Sequence, residues 1–78
     1  MITLKEAYKK AQAQCCWLIG KAFDCDDFWE FTPGKLLIIS ATIGVYKATG
    51  EVFRVYPPDM TDEQVDALEH AKEVPIPT

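Results

Sequence analysis

Seventy-eight residues allow one domain and one small core, since independent domains run to roughly 100–200 residues and short chains bury only about 60% of their unfolded surface. An apolar share of 49% and a charged share of 26% are those of an ordinary globular domain and exclude a disordered tail. Twelve acidic residues against eight basic ones leave a net charge of −4, which argues against nucleic acid as a main partner because phosphate binding needs a surplus of Lys and Arg.

The first expected element is a long helix. Thr3 and Glu6 stand at capping-box spacing, each placed to satisfy an orphaned backbone N–H of the other. Leu4, Ala7, Tyr8, Ala11, Cys15, Leu18, Ile19 and Ala22 then recur at helical intervals and mark one buried stripe. Gly20 weakens a helix interior by ~1 kcal/mol relative to Ala, so the helix ends there or frays through Phe23.

After the polar break Asp24-Cys25-Asp26-Asp27 the period changes from 3.6 to 2. Three antiparallel strands are expected, over residues 27–32, 36–47 and 51–56. Pro33-Gly34 and Ala48-Thr49-Gly50 are the turns between them, and Gly44 in the long middle strand reads as a bulge or bend. Pro57-Pro58 ends the sheet, since neither can donate to a ladder. A second helix follows, opened by the capping pair Thr61 and Gln64 with Asp62 and Glu63 in its first turn, and Val65, Leu68 and Ala71 form its short apolar stripe. Pro75 and Pro77 then leave Val74 to Thr78 as an extended tail. The expected fold is α+β: one domain over residues 1–78, two layers in the order α-β-β-β-α, with a three-stranded antiparallel sheet packed on the long N-terminal helix.

No segment reaches the ~20 apolar residues of a membrane span, the longest apolar run being Cys15 to Ile19. The N-terminus has charge spread along a helical pattern, unlike a secretory signal, so a cytoplasmic location is expected. The three cysteines agree. Cys15, Cys16 and Cys25 cannot all pair within one chain, two are adjacent, and reduced thiols are the simplest account.

Catalytic and metal chemistry finds little support. Thiolate metal sites want pairs separated by two to four residues and a fourth ligand, and only His70 or an acid is left to supply it. His70 stands on a short acidic helix, an unsuitable base for a cysteine nucleophile. Asp24, Asp26, Asp27 and Glu30 fail the calcium-loop pattern, which has Phe28, Trp29 and Lys35 where an oxygen ligand, Gly and Glu are required. No phosphate loop or nucleophile elbow is present. The expectation is a protein that is not an enzyme and uses no cofactor or metal.

The strand aromatics point to binding instead. On the last strand Phe53 and Val55 share one face and are assigned to the core beneath the long helix. Val52, Arg54 and Tyr56 share the other, and Tyr and Arg are enriched where proteins meet. These three are the candidate interaction face.

Trp29-Glu30-Phe31, a Gly-containing connection and Gly44-Val-Tyr-Lys-Ala-Thr-Gly-Glu-Val-Phe53 together resemble the W-x-F … G-V-x-K-x-T-G-E-V arrangement of small bacterial immunity proteins, and PepSY-like domains are similar. The resemblance spans residues 28–55. It implies a helix ahead of an antiparallel sheet, Thr49-Gly50-Glu51 in a hairpin turn, and a binder or inhibitor with no catalytic residues, from a bacterium or a mobile element. Charge is compatible with such a role: residues 1–21 carry four Lys and one Glu, whereas residues 22–78 carry four basic and eleven acidic residues. The leading expectation is a cytoplasmic protein-interaction module with a protein partner. A self-associating subunit, homodimeric through an open sheet face, is the first alternative, and a small metal or redox protein using the three cysteines is the second.

Overall fold

The computed structural model describes residues 1–15, 18–33 and 42–77. Helix α1 covers Leu4–Gln14. Thr3 caps it, accepting from the Glu6 N–H at 3.2 Å while its hydroxyl donates to the Glu6 carboxylate at 3.2 Å. The helix is shorter than expected. Cys15 leaves it in extended conformation and the Gln12 side-chain carbonyl accepts from the Ile19 N–H at 3.2 Å, folding the chain back along the last turn. Cys16 and Trp17 lie outside the described residues.

The expected helical stripe therefore holds from Leu4 to Cys15 and fails beyond it. Lys21–Asp24 form strand β1, which the helical spacing of Ala22 had concealed. A four-residue segment fits either period, and pairing on both sides settles the matter: Ala22 lies between Phe31 and Val74 and is fully buried.

A two-residue loop at Asp26-Asp27, with Asp26 at φ 71°, turns the chain into β2, Phe28–Thr32. Strand β3, Thr42–Tyr46, follows; Lys47, the last residue of the expected middle strand, lies in the turn, and residues 36–41 of that strand and Gly34 of its preceding turn lie outside the described residues. The β3–β4 turn ends at Gly50 with φ 76°, a left-handed conformation that suits glycine, and leads into β4, Val52–Val55. A 3-10 turn at Pro57–Asp59 precedes α2, Asp62–Glu69, whose capping box has both arms in place. The expected extended tail begins as a strand: β5, Lys72–Val74, pairs with β1.

The class is α+β, but the sheet has five strands rather than three, all antiparallel, in the order β4-β3-β2-β1-β5. Cross-strand partners share a face. Ala22, Trp29, Phe31, Ile43, Val45, Val52 and Val74 point to one side, where Ala7 and Ala11 of α1 are fully buried against them. Two alanines let the helix backbone approach closely, and Tyr8 tilts onto Phe31 at 6.3 Å.

The opposite face carries Phe28, Tyr46 and Phe53, with Tyr46 stacked on Phe53 at 4.4 Å. This corrects the expected orientation. Val52, not Phe53 or Val55, joins the core beneath α1, because the register sets Val52 opposite Val45 and Phe53 opposite Gly44. Gly44 forms no bulge; it pairs regularly with both Glu30 and Phe53. Helix α2 stands on the Phe28–Tyr46 side, where the Gln64 side-chain amide donates to the Tyr46 hydroxyl at 3.0 Å. The two helices thus attend to different faces of the sheet.

Candidate functional site

Two features stand at opposite ends of the strand order. The first is the outer edge of β4. Backbone bonds at the base of the β2–β3–β4 meander set the alternation: the Tyr46 N–H donates to the Glu51 carbonyl at 3.0 Å and the Lys47 N–H to the Asp27 carbonyl at 3.0 Å. Bonded and non-bonded pairs alternate along an antiparallel ladder. Phe53 and Val55 therefore bond inward to β3, while Val52, Arg54 and Tyr56 aim their N–H groups outward. The Tyr56 carbonyl accepts from the Asp59 N–H at 2.9 Å. Among the described residues nothing pairs with the other outward groups, and no strand flanks β4 on that side.

The candidate interaction residues Val52, Arg54 and Tyr56 are thus brought together, though at a sheet edge on the α1 side rather than on an open sheet face. Val52 is half-buried in the core, Arg54 is exposed and Tyr56 is 47% exposed. The edge position was not evident beforehand. Its signal was Pro57-Pro58, which closes the strand and suits an edge better than a central position.

The second feature is an open cleft of about 710 Å³ between the β1–β2 turn and α2. Asp24, Asp26 and Asp27 line one wall, Glu63 and Asp66 the other, and Glu73 of β5 the end, with Lys72 and His70 as counterweights. Sequence reasoning noticed both acidic runs but not their meeting, which depends on α2 returning beside the turn.

Lys47, outside the cleft lining, donates to Asp24 at 2.6 Å and lies 5.2 Å above the Trp29 ring. That hydrogen bond holds the Asp24 carboxyl below its ordinary value. His70 Nδ1 lies 3.0 Å from the Asp66 carbonyl, and this contact, with the Asp66 charge, raises the imidazole's affinity for a proton. Glu30 is pushed upward by burial on β2, partly offset by the Thr42 hydroxyl donating at 3.0 Å.

One thiol borders the cleft and another lies away from it. Cys25 is buried beneath the β1–β2 turn and its thiol is pushed up to about 12, first by burial and then by the Glu30 charge. Cys15 is half-buried at the end of α1, beside Gln12. Among the described residues no group of three His, Cys, Asp or Glu side chains is placed to hold a metal ion, and no helix is long and apolar enough to cross a membrane. Comparison with known proteins finds no family model, no curated protein and no solved structure that matches this chain.

Proposed function

We propose that this chain is a small cytoplasmic protein-interaction module without enzymatic activity, of the immunity or inhibitor kind, from a bacterium or a mobile element. Its partner-binding surface centres on Arg54 and Tyr56. The observation that carries the reading is that Arg54 of the edge strand β4 and Tyr56, one residue past its end, are both exposed while Val52, between them and the turn, anchors the strand in the core. Tyr and Arg dominate binding hot spots, and a strand already fixed by its inner residues loses little freedom on association.

Affinity capture from the source cells with the whole chain and with Arg54→Glu and Tyr56→Ala tests it. A protein retained by the wild type and lost by both variants, with thermal midpoints unchanged, is the expected outcome. Equal capture by all three overturns the assignment of the surface.

The acid-lined cleft favours a second reading of the same class, in which a partner's basic segment seats against α2. Binding by that route falls steeply with added salt and with Glu63→Gln plus Asp66→Asn, and is indifferent to Arg54. The two readings separate on those variants.

A further inference from the structure

We propose that the partner adds a β-strand to the outer edge of β4, which no described strand covers, and that the added segment carries a carboxylate opposite Arg54. The inference rests on the Arg54–Tyr56 reading and specifies how that surface is used. The outward groups are the N–H of Val52, Arg54 and Tyr56 and the carbonyls of Val52 and Arg54. Spaced every second residue, they form the half-ladder that an extended peptide completes.

The two edges of the sheet differ. At the β5 edge the strand has three residues, Lys72 and Glu73 are exposed, and Pro75 follows at once. Short length, charge and proline are the devices that keep an edge from pairing. Strand β4 is one residue longer, is separated from Pro57 by Tyr56, pairs regularly with β3 along its whole length, and has Arg54 as its one charge.

That charge selects the occupant. If β4 paired antiparallel with a second copy through these outward groups, the register centred on Arg54 would set it against itself. A shift of one pair either way would set it against Val52 or Tyr56. The nearest acid, Glu51 just before the strand, lies opposite Tyr46 and so shares the other face with Phe53 and Val55. None of these self-pairings gives Arg54 a carboxylate on its own face. A foreign strand can place Asp or Glu there, where opposite charges on facing residues are favourable, with apolar residues two positions away against Val52 and Tyr56.

The test uses the full chain and two synthetic nine-residue peptides, each with Val two positions either side of a central residue and Thr between; the centre is Glu in one and Lys in the other. Amide exchange followed by NMR reads the backbone directly. Slowed exchange at Val52, Arg54 and Tyr56 is expected with the Glu peptide, and little change at Phe53 and Val55, which already bond to β3. The Glu peptide should bind at least about fivefold more tightly than the Lys peptide, and Arg54→Glu should reverse that order.

Failure of both peptides to bind at millimolar concentration overturns the proposal. Binding without protection of the three outward amides overturns strand addition while leaving the Arg54–Tyr56 surface in use through side chains alone. Protection of the same amides without peptide, accompanied by a dimer in sedimentation, assigns the edge to a second copy and overturns the foreign strand.

Discussion

Gly44 and Phe53 face each other across β3 and β4, and the phenyl ring lies over the glycine where a side chain would otherwise stand. A Cβ at position 44 would come within 2.6 Å of Phe53 Cε1, closer than packed carbons approach. Phe53 has little room to yield, since Tyr46 stacks on it and Phe28 meets its edge at 5.2 Å. Gly44→Ala should therefore destabilise the fold by about 1–3 kcal/mol, as overpacking does, despite the gain in strand propensity. Urea unfolding checks it, and the double variant with Phe53→Leu should recover part of the loss. A Gly44→Ala variant as stable as the wild type would mean that the ring does not occupy that space.

The Lys47 ammonium serves two partners, the Asp24 carboxylate at 2.6 Å and the Trp29 ring at 5.2 Å. The folded state lowers the Asp24 value below that of the unfolded chain, so the contribution is complete above the unfolded value and disappears as pH falls through the folded one. The Asp24 side chain is 42% exposed, which limits the pair to under about 1 kcal/mol. Asp24→Asn should lose that much at neutral pH and nothing in acid. Lys47→Met should lose more at neutral pH, because the ring contact goes as well. Thermal midpoints measured across the acid range for both variants separate the two contributions.

The parts of this fold written in local signals were legible: the Thr3 cap, the turn ending at Gly50 and the reciprocal pair Thr61 and Gln64 all act within four residues of themselves. Strands β1 and β5 were not. Each is three or four residues long, β1 held between β2 and β5 and β5 held by β1, so neither carries a period of its own. The same distinction explains the inverted strand. Alternation separates Val52 from Phe53, but which of them meets α1 depends on the β3 register, where Val45 turns toward the helix and Gly44 away from it. A glycine opposite a phenylalanine was the available clue, since it admits a ring on that side. The exposed edge and the acid-lined cleft are likewise products of strand order and of α2's return, both of which join segments far apart in the chain.

Glu30 presents the opposite linkage to Asp24. Burial on β2 raises its folded value above the unfolded one, so its protonated form fits the fold better and stability declines as pH rises through the folded value. Glu30→Gln retains an oxygen to accept from the Thr42 hydroxyl and removes the half-buried charge. The variant should be more stable than the wild type at pH 7 and nearly equal to it below about pH 4, where the glutamate is already protonated. Urea midpoints at the two pH values test this. A variant less stable than the wild type at pH 7 would show that the ionised carboxylate has a partner the fold depends on.

Cys25 sits at 1% exposure under the β1–β2 turn, its backbone N–H donating to the Phe28 carbonyl at 2.9 Å. With the thiol pushed up to about 12, almost no thiolate exists near neutrality, and the thiolate is the form that reacts. Alkylation by iodoacetamide at about pH 8, close to the value of a free thiol, should label Cys25 far more slowly than the half-buried Cys15. Denaturant should abolish the difference, because burial is the first cause of the shift. Peptide mapping after timed labelling reads each site separately. If Cys25 reacts in the folded protein as fast as a free peptide thiol, the β1–β2 turn does not cover it.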